Sequence, residues 1–332
     1  MTATRGQCPV CRYRWRLRKD GTLQSHHLYS GSERQPECEG SGKPPAQEEC
    51  RPVGYKTAQR IIVAGDWHGN TAWARKVIRR AKTLLADEEP RIILHLGDFG
   101  VWPGGQSYLA GVSDALKSAD AVLWFVDGNH EAFPLLHYKA DQNRRMLLGS
   151  IGEGEIAPGI YWQPRGTRWL WHGRQWLALG GGVSLDKAIR TEGRDWWPEE
   201  EITDDEEYAA IESGRADVMV THDCPARVTH TFPPRPPFWD LADLARSDAH
   251  RERLQRVVDA VQPSHLMHGH LHIGYQRVTD FGYGPVQVTG LDRDGAKWNY
   301  AVLDVKTMEW EARVAHSGPV RGGVPMTPRT AV

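Results

Sequence analysis

The sequence predicts an α/β body with a mostly parallel sheet, preceded by a small cysteine-bearing module. Three observations predict it. Short apolar strands alternate with amphipathic helices between residues 60 and 126, the pattern of βαβ units. Cys8, Cys11 and Cys38 fall in one short N-terminal stretch that opens with a C-x2-C knuckle. Charge is divided as well: residues 1–60 hold 11 Lys+Arg against 6 Asp+Glu, although the 332-residue chain has a formal net charge of -1. A basic head joined to a mildly acidic body fits those numbers.

Composition excludes several classes. A hydrophobic content of 40% with 14 Trp argues against a disordered chain. The longest apolar run, Ala121 to Val126, is too short to span a bilayer, so no membrane partner is expected. No secretory signal is readable, and 5 Cys do not make a disulfide framework, so a soluble cytoplasmic protein is expected.

Boundaries follow the texture: a module over 1–42, a linker over 43–58, a body over 59–316 and a disordered tail over 317–332. In the head, Arg12 to Arg18 alternates basic and apolar residues with period 2, a strand that turns at Gly21. In the body, Ile61–Ala64 is a buried strand. Asn70 or Thr71 caps a helix whose apolar residues Trp73, Val77, Ile78, Ala81 and Leu85 keep the 3.6 period. Strand 92–96, a helix near 106–118 and strand 122–126 follow. Shorter strands come next at 160–163, 168–172 and 175–179. Thr203 to Glu206 is a capping box that starts a helix. Strand 218–220, helix 249–261, strand 264–267 and strands near 274–279, 285–289 and 299–305 complete the body.

Five polar clusters stand where strands end, the edge at which open α/β sheets bind ligands. They are Asp66-Trp67-His68, Gly97-Asp98, Gly128-Asn129-His130-Glu131, Thr221-His222 and Gly269-His270-Leu271-His272. Asp, Asn and His suit Mn, Fe or Zn, and no thiolate is among them. One aspartate can bridge two cations about 3.5–4 Å apart. Outside the clusters, His95 reads as a satisfied core histidine, and His268 as a residue on the same sheet face as His270 but outside the G-H-x-H pattern. His137, His172, His230, His250, His265 and His316 read as surface or boundary residues, and Cys224 as a small buried hydrophobe.

The order D-x-H, G-D, G-N-H-E, H, G-H-x-H resembles the calcineurin-like metallophosphoesterase superfamily over roughly residues 60–305. The resemblance implies a four-layer αββα sandwich. It implies that Asp66, His68, Asp98 and His272 hold one divalent ion (Mn, Fe, Zn or Ni) and that Asp98, Asn129, His222 and His270 hold a second. Asp98 would bridge them, a metal-bridging hydroxide would attack a phosphate mono- or diester, and His130 would protonate the leaving group. Gly180 to Asp186, with Arg190 and Trp196-Trp197-Pro198-Glu199-Glu200, resembles a stretch of a small bacterial and phage branch, which implies that Ser184, Asp186 and Arg190 line the substrate.

In the head, C-P-x-C, G-x-L-x-x-H and C-x-G-S-G resemble small zinc ribbons, implying a structural zinc on Cys8, Cys11, His26 and Cys38, with Cys50 the alternative fourth ligand. Residues 12–19 present a cationic face that suits nucleic acid, or simply a solvated one. Three functional classes therefore stand: a two-metal phosphoesterase, a nuclease or cyclic-nucleotide phosphodiesterase served by the basic head, and a binding scaffold with a vestigial hydrolase fold. The last predicts missing ligands, and every position is filled.

Overall fold

The computed structural model describes residues 5–8, 14–25, 37–44, 58–146, 154–228 and 239–311. The chain divides into two compact units, residues 1–51 and 52–332. In the first, β1 (Arg5–Gln7) pairs antiparallel with β2 (Arg14–Arg16). Cys8, Leu23 and Cys38 are buried together, with the Cys8 and Cys38 Sγ atoms 3.8 Å apart and no disulfide between them. Arg16, Arg18 and Lys19 are exposed. Cys11, His26 and Cys50 lie outside the described residues, as do most of the expected linker and the whole expected tail.

The second unit begins β3 (Arg60–Ala64), α1 (Thr71–Leu84), β4 (Arg91–His95), α2 (Gln106–Ala119), β5 (Ala121–Phe125) and α3 (Phe133–Met146). It continues with β6 (Glu155–Ala157), β7 (Ile160–Trp162), β8 (Arg168–Trp171), β9 (Arg174–Leu179), α4 (Asp204–Glu212) and β10 (Val218–Thr221). It ends with α5 (Leu241–Val261), β11 (His265–His268), β12 (Tyr275–Asp280), β13 (Pro285–Gly290), β14 (Tyr300–Asp304) and β15 (Glu309–Trp310). One sheet has the order β15-β14-β3-β4-β5-β7-β6 and the other β12-β13-β11-β10-β9-β8. In each, four consecutive strands (β3, β4, β5, β7 and β13, β11, β10, β9) run parallel and the remaining pairings are antiparallel.

Alternation along β3 and β4 separates two cores. Ile62, Ala64 and Ile93 pack against α1 and α2, whereas Ile61, Val63, Ile92 and Leu94 face the second sheet. There they meet Trp169, Trp171, Trp176, Val218, Val220 and Met267. The outer face of the second sheet packs on α5 through Leu254, Val257, Val258 and Val261. Helix, sheet, sheet, helix is the four-layer αββα sandwich expected.

Most elements begin where their caps predict. Asn70 accepts the Trp73 N–H at 3.1 Å, and Thr203 with Glu206 forms the capping box. Helix α5 corrects the sequence reading, since it starts eight residues before the expected 249, at Leu241 after the cap Asp240. Its first half buries Asp243 and His250, which pair with Arg246 and Asp223, so apolar periodicity could not reveal it. His250 is therefore a buried residue hydrogen-bonded to Asp223, not a surface one. His95 is buried, but neither ring nitrogen has a hydrogen-bond partner among the described residues. It lies edge-on to Trp67 and Phe99, and burial pushes its pKa down to about 3, so it stays neutral. His268 bonds the Gly269 carbonyl and the Tyr275 hydroxyl. No helix of the described residues is long and apolar enough to cross a membrane.

Trp176 is fully buried between the sheets and stacks on Trp169 at 5.7 Å. Trp176→Ala is expected to cost about 3–5 kcal/mol, read from urea denaturation, because the facing sheets cannot close the cavity.

Candidate metal centre

The five clusters meet at the C-terminal ends of parallel strands from both sheets. Asp66 and His68 follow β3, Asp98 follows β4, and Asn129 and His130 follow β5. His222 follows β10, and His270 and His272 follow β11. To aim these side chains inward, His68, Asp98, His270 and His272 adopt φ of 45, 53, 61 and 51°. Each left-handed non-glycine residue costs on the order of 1–3 kcal/mol, so strain is concentrated where the ligand atoms converge. Crowding also dictates glycine. A Cβ on Gly97, where φ is 97°, would lie 2.3 Å from His222 Nδ1, and one on Gly128 would lie 2.2 Å from Asp98 Oδ1.

Asp98 is the hub. Its Oδ1 lies 3.4 Å from His222 Nε2 and accepts the His130 N–H at 2.9 Å. Its Oδ2 lies 3.4 Å from His68 Nε2 and 3.8 Å from His130 Nε2. Beyond Oδ2, His272 Nε2 is 3.1 Å from Asp66 Oδ2, and the His68 and His272 rings are 5.1 Å apart. Beyond Oδ1, Asn129 Oδ1 is 3.0 Å from His222 Nε2, and the His270 ring is 4.9 Å from that of His222. Among the described residues, three groups have potential ligand atoms within 4.8 Å of one another: Asp66/His68/His272, His68/Asp98/His130 and Asp66/Asp98/His222.

These residues fit cations on two counts. Among the described residues the buried Asp66 Oδ2 has only His272 Nε2 near it, at 3.1 Å, without hydrogen-bond geometry. His222 Nδ1 donates to the Leu96 carbonyl at 2.8 Å, so the neutral ring turns a lone pair toward Asn129 Oδ1 and Asp98 Oδ1. Three lone-pair atoms facing one another need a positive charge between them. Without metal the histidines supply it. Burial disfavours their charged forms, but Asp98 and Asp66 outweigh it, raising His222 to about 10 and His68 to about 9. Burial dominates at His270 and lowers it to about 4.

Of the residues expected near substrate, Arg190 Nη2 reaches His130 Nε2 at 3.2 Å while its guanidinium grips both Asp186 carboxylate oxygens at 2.7 Å. Burial, then Arg190, lowers the His130 pKa against the pull of Asp98. Ser184 differs from the expectation. It is buried, accepts the Asn129 carboxamide N–H at 3.0 Å and donates to Glu200 at 2.6 Å, so it stands behind Asn129.

Sequence reasoning missed the supports. Asp294 holds His68 Nδ1 at 3.4 Å and Asn70 at 2.6 Å. Asn299 accepts the indole N–H groups of Trp67 and Trp73 and donates to the Asp66 and Asp292 carbonyls. Neither sits in a recognisable motif. Glu131, visible in G-N-H-E, accepts the Gly100 and Gly128 N–H groups and so joins two ligand loops; burial and Asp98 raise its pKa to about 7.

Residues 59–274 match the calcineurin-like phosphoesterase family. No curated protein matches. Among solved structures, the chain is similar to TT1561 of Thermus thermophilus, at 16% identity and TM-score 0.47, over 77% of this chain and 98% of that one. It is also similar to GAP50, the anchor in the inner membrane complex of Plasmodium, at 12% identity and TM-score 0.36, over 74% and 81%. A third is Haemophilus influenzae NAD nucleotidase, at 9% identity and TM-score 0.38, over 78% and 50%.

With His68 and His222 raised to about 9 and 10, both rings are protonated in the metal-free protein at pH 7.5 and must lose that proton to ligate. Mn2+ binding is expected to release protons and to weaken as pH falls from 9 to 6. Calorimetry in buffers of different ionisation enthalpy checks this; pH-independent binding without proton release contradicts it.

Proposed function

This chain belongs to the calcineurin-like phosphoesterase family, of metal-dependent hydrolases, and on that premise we propose that it cleaves phosphate mono- or diesters at a two-cation centre. The observation that carries the reading is the buried Asp98 with one oxygen toward each donor set. Asp66, His68, Asp98 and His272 would hold one divalent ion; Asp98, Asn129, His222 and His270 would hold the other. Such ions neutralise a phosphate ester and make water nucleophilic near neutral pH.

The remaining work falls to the chain. His130 turns Nε2 toward the hub, with its backbone N–H fixed on Asp98 and its carbonyl bonded by the Trp102 indole. Nε2 accepts from Arg190 here, so as an acid it would have to take up a proton and turn it from Arg190 to the oxygen of the departing alcohol. Arg190, held in orientation by Asp186 and the Asp195 carbonyl, stands beside it to bind a phosphate oxygen. A nuclease reading rests on the exposed Arg16, Arg18 and Lys19.

In the head, two thiolates on one tetrahedral zinc, with Zn–S about 2.3 Å, lie about 3.8 Å apart. The Cys8–Cys38 spacing is 3.8 Å. We therefore place a structural zinc there, with Cys11 and His26 completing it.

Mn2+-loaded full-length protein should hydrolyse bis(p-nitrophenyl) phosphate, and Asp98→Ala should reduce turnover to background; unchanged turnover refutes the reading. His130→Ala should lower kcat about 10²–10⁴-fold on an alkyl phosphate, much less on the p-nitrophenyl ester, and leave metal content intact. Cleavage of single-stranded DNA that weakens on replacing Arg16, Arg18 and Lys19 would select the nuclease. The purified chain should carry zinc that Cys38→Ser removes, by elemental analysis; retention of zinc in that variant overturns the head assignment.

A further inference from the structure

Behind Asn129 runs a buried polar chain. Ser184 and Glu200 are 1% and 0% exposed, so water is excluded from both. The Ser184 hydroxyl has one proton, and it donates that proton to Glu200 Oε2 at 2.6 Å. Toward Asn129 it can then only accept, and the Asn129 Nδ2 group donates to it at 3.0 Å. This leaves Asn129 Oδ1 facing His222 Nε2. A reversed carboxamide would set two proton-less oxygens together and turn an NH2 group toward the cation position.

Glu200 is itself held. Its Oε1 accepts the Ser184 backbone N–H at 3.1 Å and Arg246 Nη2 at 3.3 Å. The turn that carries it is pinned by Arg165, which donates to the carbonyls of Glu199, Glu200 and Glu201 while bonding Asp127 and Glu206. Burial raises the Glu200 carboxyl pKa, and the Ser184 donors and Arg246 oppose that shift.

We propose that Glu200, acting through Ser184, sets which end of the Asn129 carboxamide faces His222 and Asp98. Both are positioning residues, and the inference rests on reading Asn129 as a cation ligand. The donor order runs from Asn129 to Ser184 to Glu200, and it is reversible by design. Glu200→Gln keeps an oxygen for Arg246 and the Ser184 N–H but offers Ser184 Oγ an N–H. The hydroxyl must then donate toward residue 129, turning the wild-type carboxamide around. Asn129→Asp conflicts with the native order in the opposite sense, since its carboxylate meets an oxygen with no proton to give. Together the two changes restore a consistent chain, now running from Gln at 200 through Ser184 to Asp at 129.

The experiment is a double-mutant cycle on the full chain, reading Mn2+ affinity by titration and kcat on bis(p-nitrophenyl) phosphate. Each single variant should lose about 10–100-fold in affinity for one of the two ions or in activity. The double variant should stand about tenfold above either single one, a recovery of about 1.4 kcal/mol over each, where independent losses would add. Such recovery cannot come from a damaged fold, which would compound rather than cancel. Independent, multiplying losses in the double variant overturn the relay. Asn129→Ala separates the two ideas. If it leaves Mn2+ stoichiometry and kcat unchanged, the ligand reading fails; if it loses one Mn2+ while the cycle multiplies, only the relay fails.

Discussion

Asp98 is a carboxylate with almost no access to solvent whose two oxygens answer to two different groups of side chains. An ionised carboxylate buried in this way must find positive charge or pay a large desolvation penalty, and Asp66 lies beside it with the same demand. In the metal-free protein His68 and His222 meet the demand by holding protons at elevated pKa values. Cations held by these same groups would meet it without requiring the rings to stay protonated. The layer architecture serves this requirement. The two sheets abut so that the ends of β3, β4 and β5 confront those of β10 and β11 across a gap narrow enough for one carboxylate to touch both sides.

Such closeness needs rigid supports. Leu96 fixes the tautomer of His222, Asp294 orients His68, and Asn299 ties the Asp66 loop to two tryptophans. Glu131 joins the Asp98 loop to the Asn129 loop through two backbone N–H groups. The left-handed residues His68 and Asp98 stand in loops that these contacts hold, and the His270 N–H bonds Asp66 Oδ1. Strain and support therefore occur at the same residues.

What was legible in the sequence follows from the range of the forces involved. The strands and the caps at Asn70 and Thr203 depend on neighbours a few residues away, and they could be read directly. The clusters could be read because four of the five set Asp, Asn or His beside a glycine at a strand end, leaving a short pattern. Illegible were partners far apart in the chain. Ser184 looks like part of a glycine-rich turn until its hydroxyl is seen donating to Glu200, and the N-terminal half of α5 lacks an apolar stripe because its inner face carries Asp243 and His250. His95 shows the converse, since a histidine in an apolar strand was expected to find a partner and instead stays neutral against Trp67 and Phe99.

The two halves of the centre are also unequal, and the inequality has a direction. The His68 and His272 side chains are 24% and 38% exposed, whereas His222 is 0% exposed and lies against Gly97, Gly128 and Gly182. His130 and Arg190 share the open side. On the proposed assignment, an ion between Asp98 and His222 would be walled in by protein and held by the relay through Asn129. Its companion at His68 and His272 would meet solvent and the incoming ester. Entry, departure of the alcohol and proton delivery then all use one face, while the other supplies a fixed charge against which they occur. A bridging aspartate suits that division, because a buried carboxylate fixed from behind transmits the rigidity of one half to the exposed half without closing it.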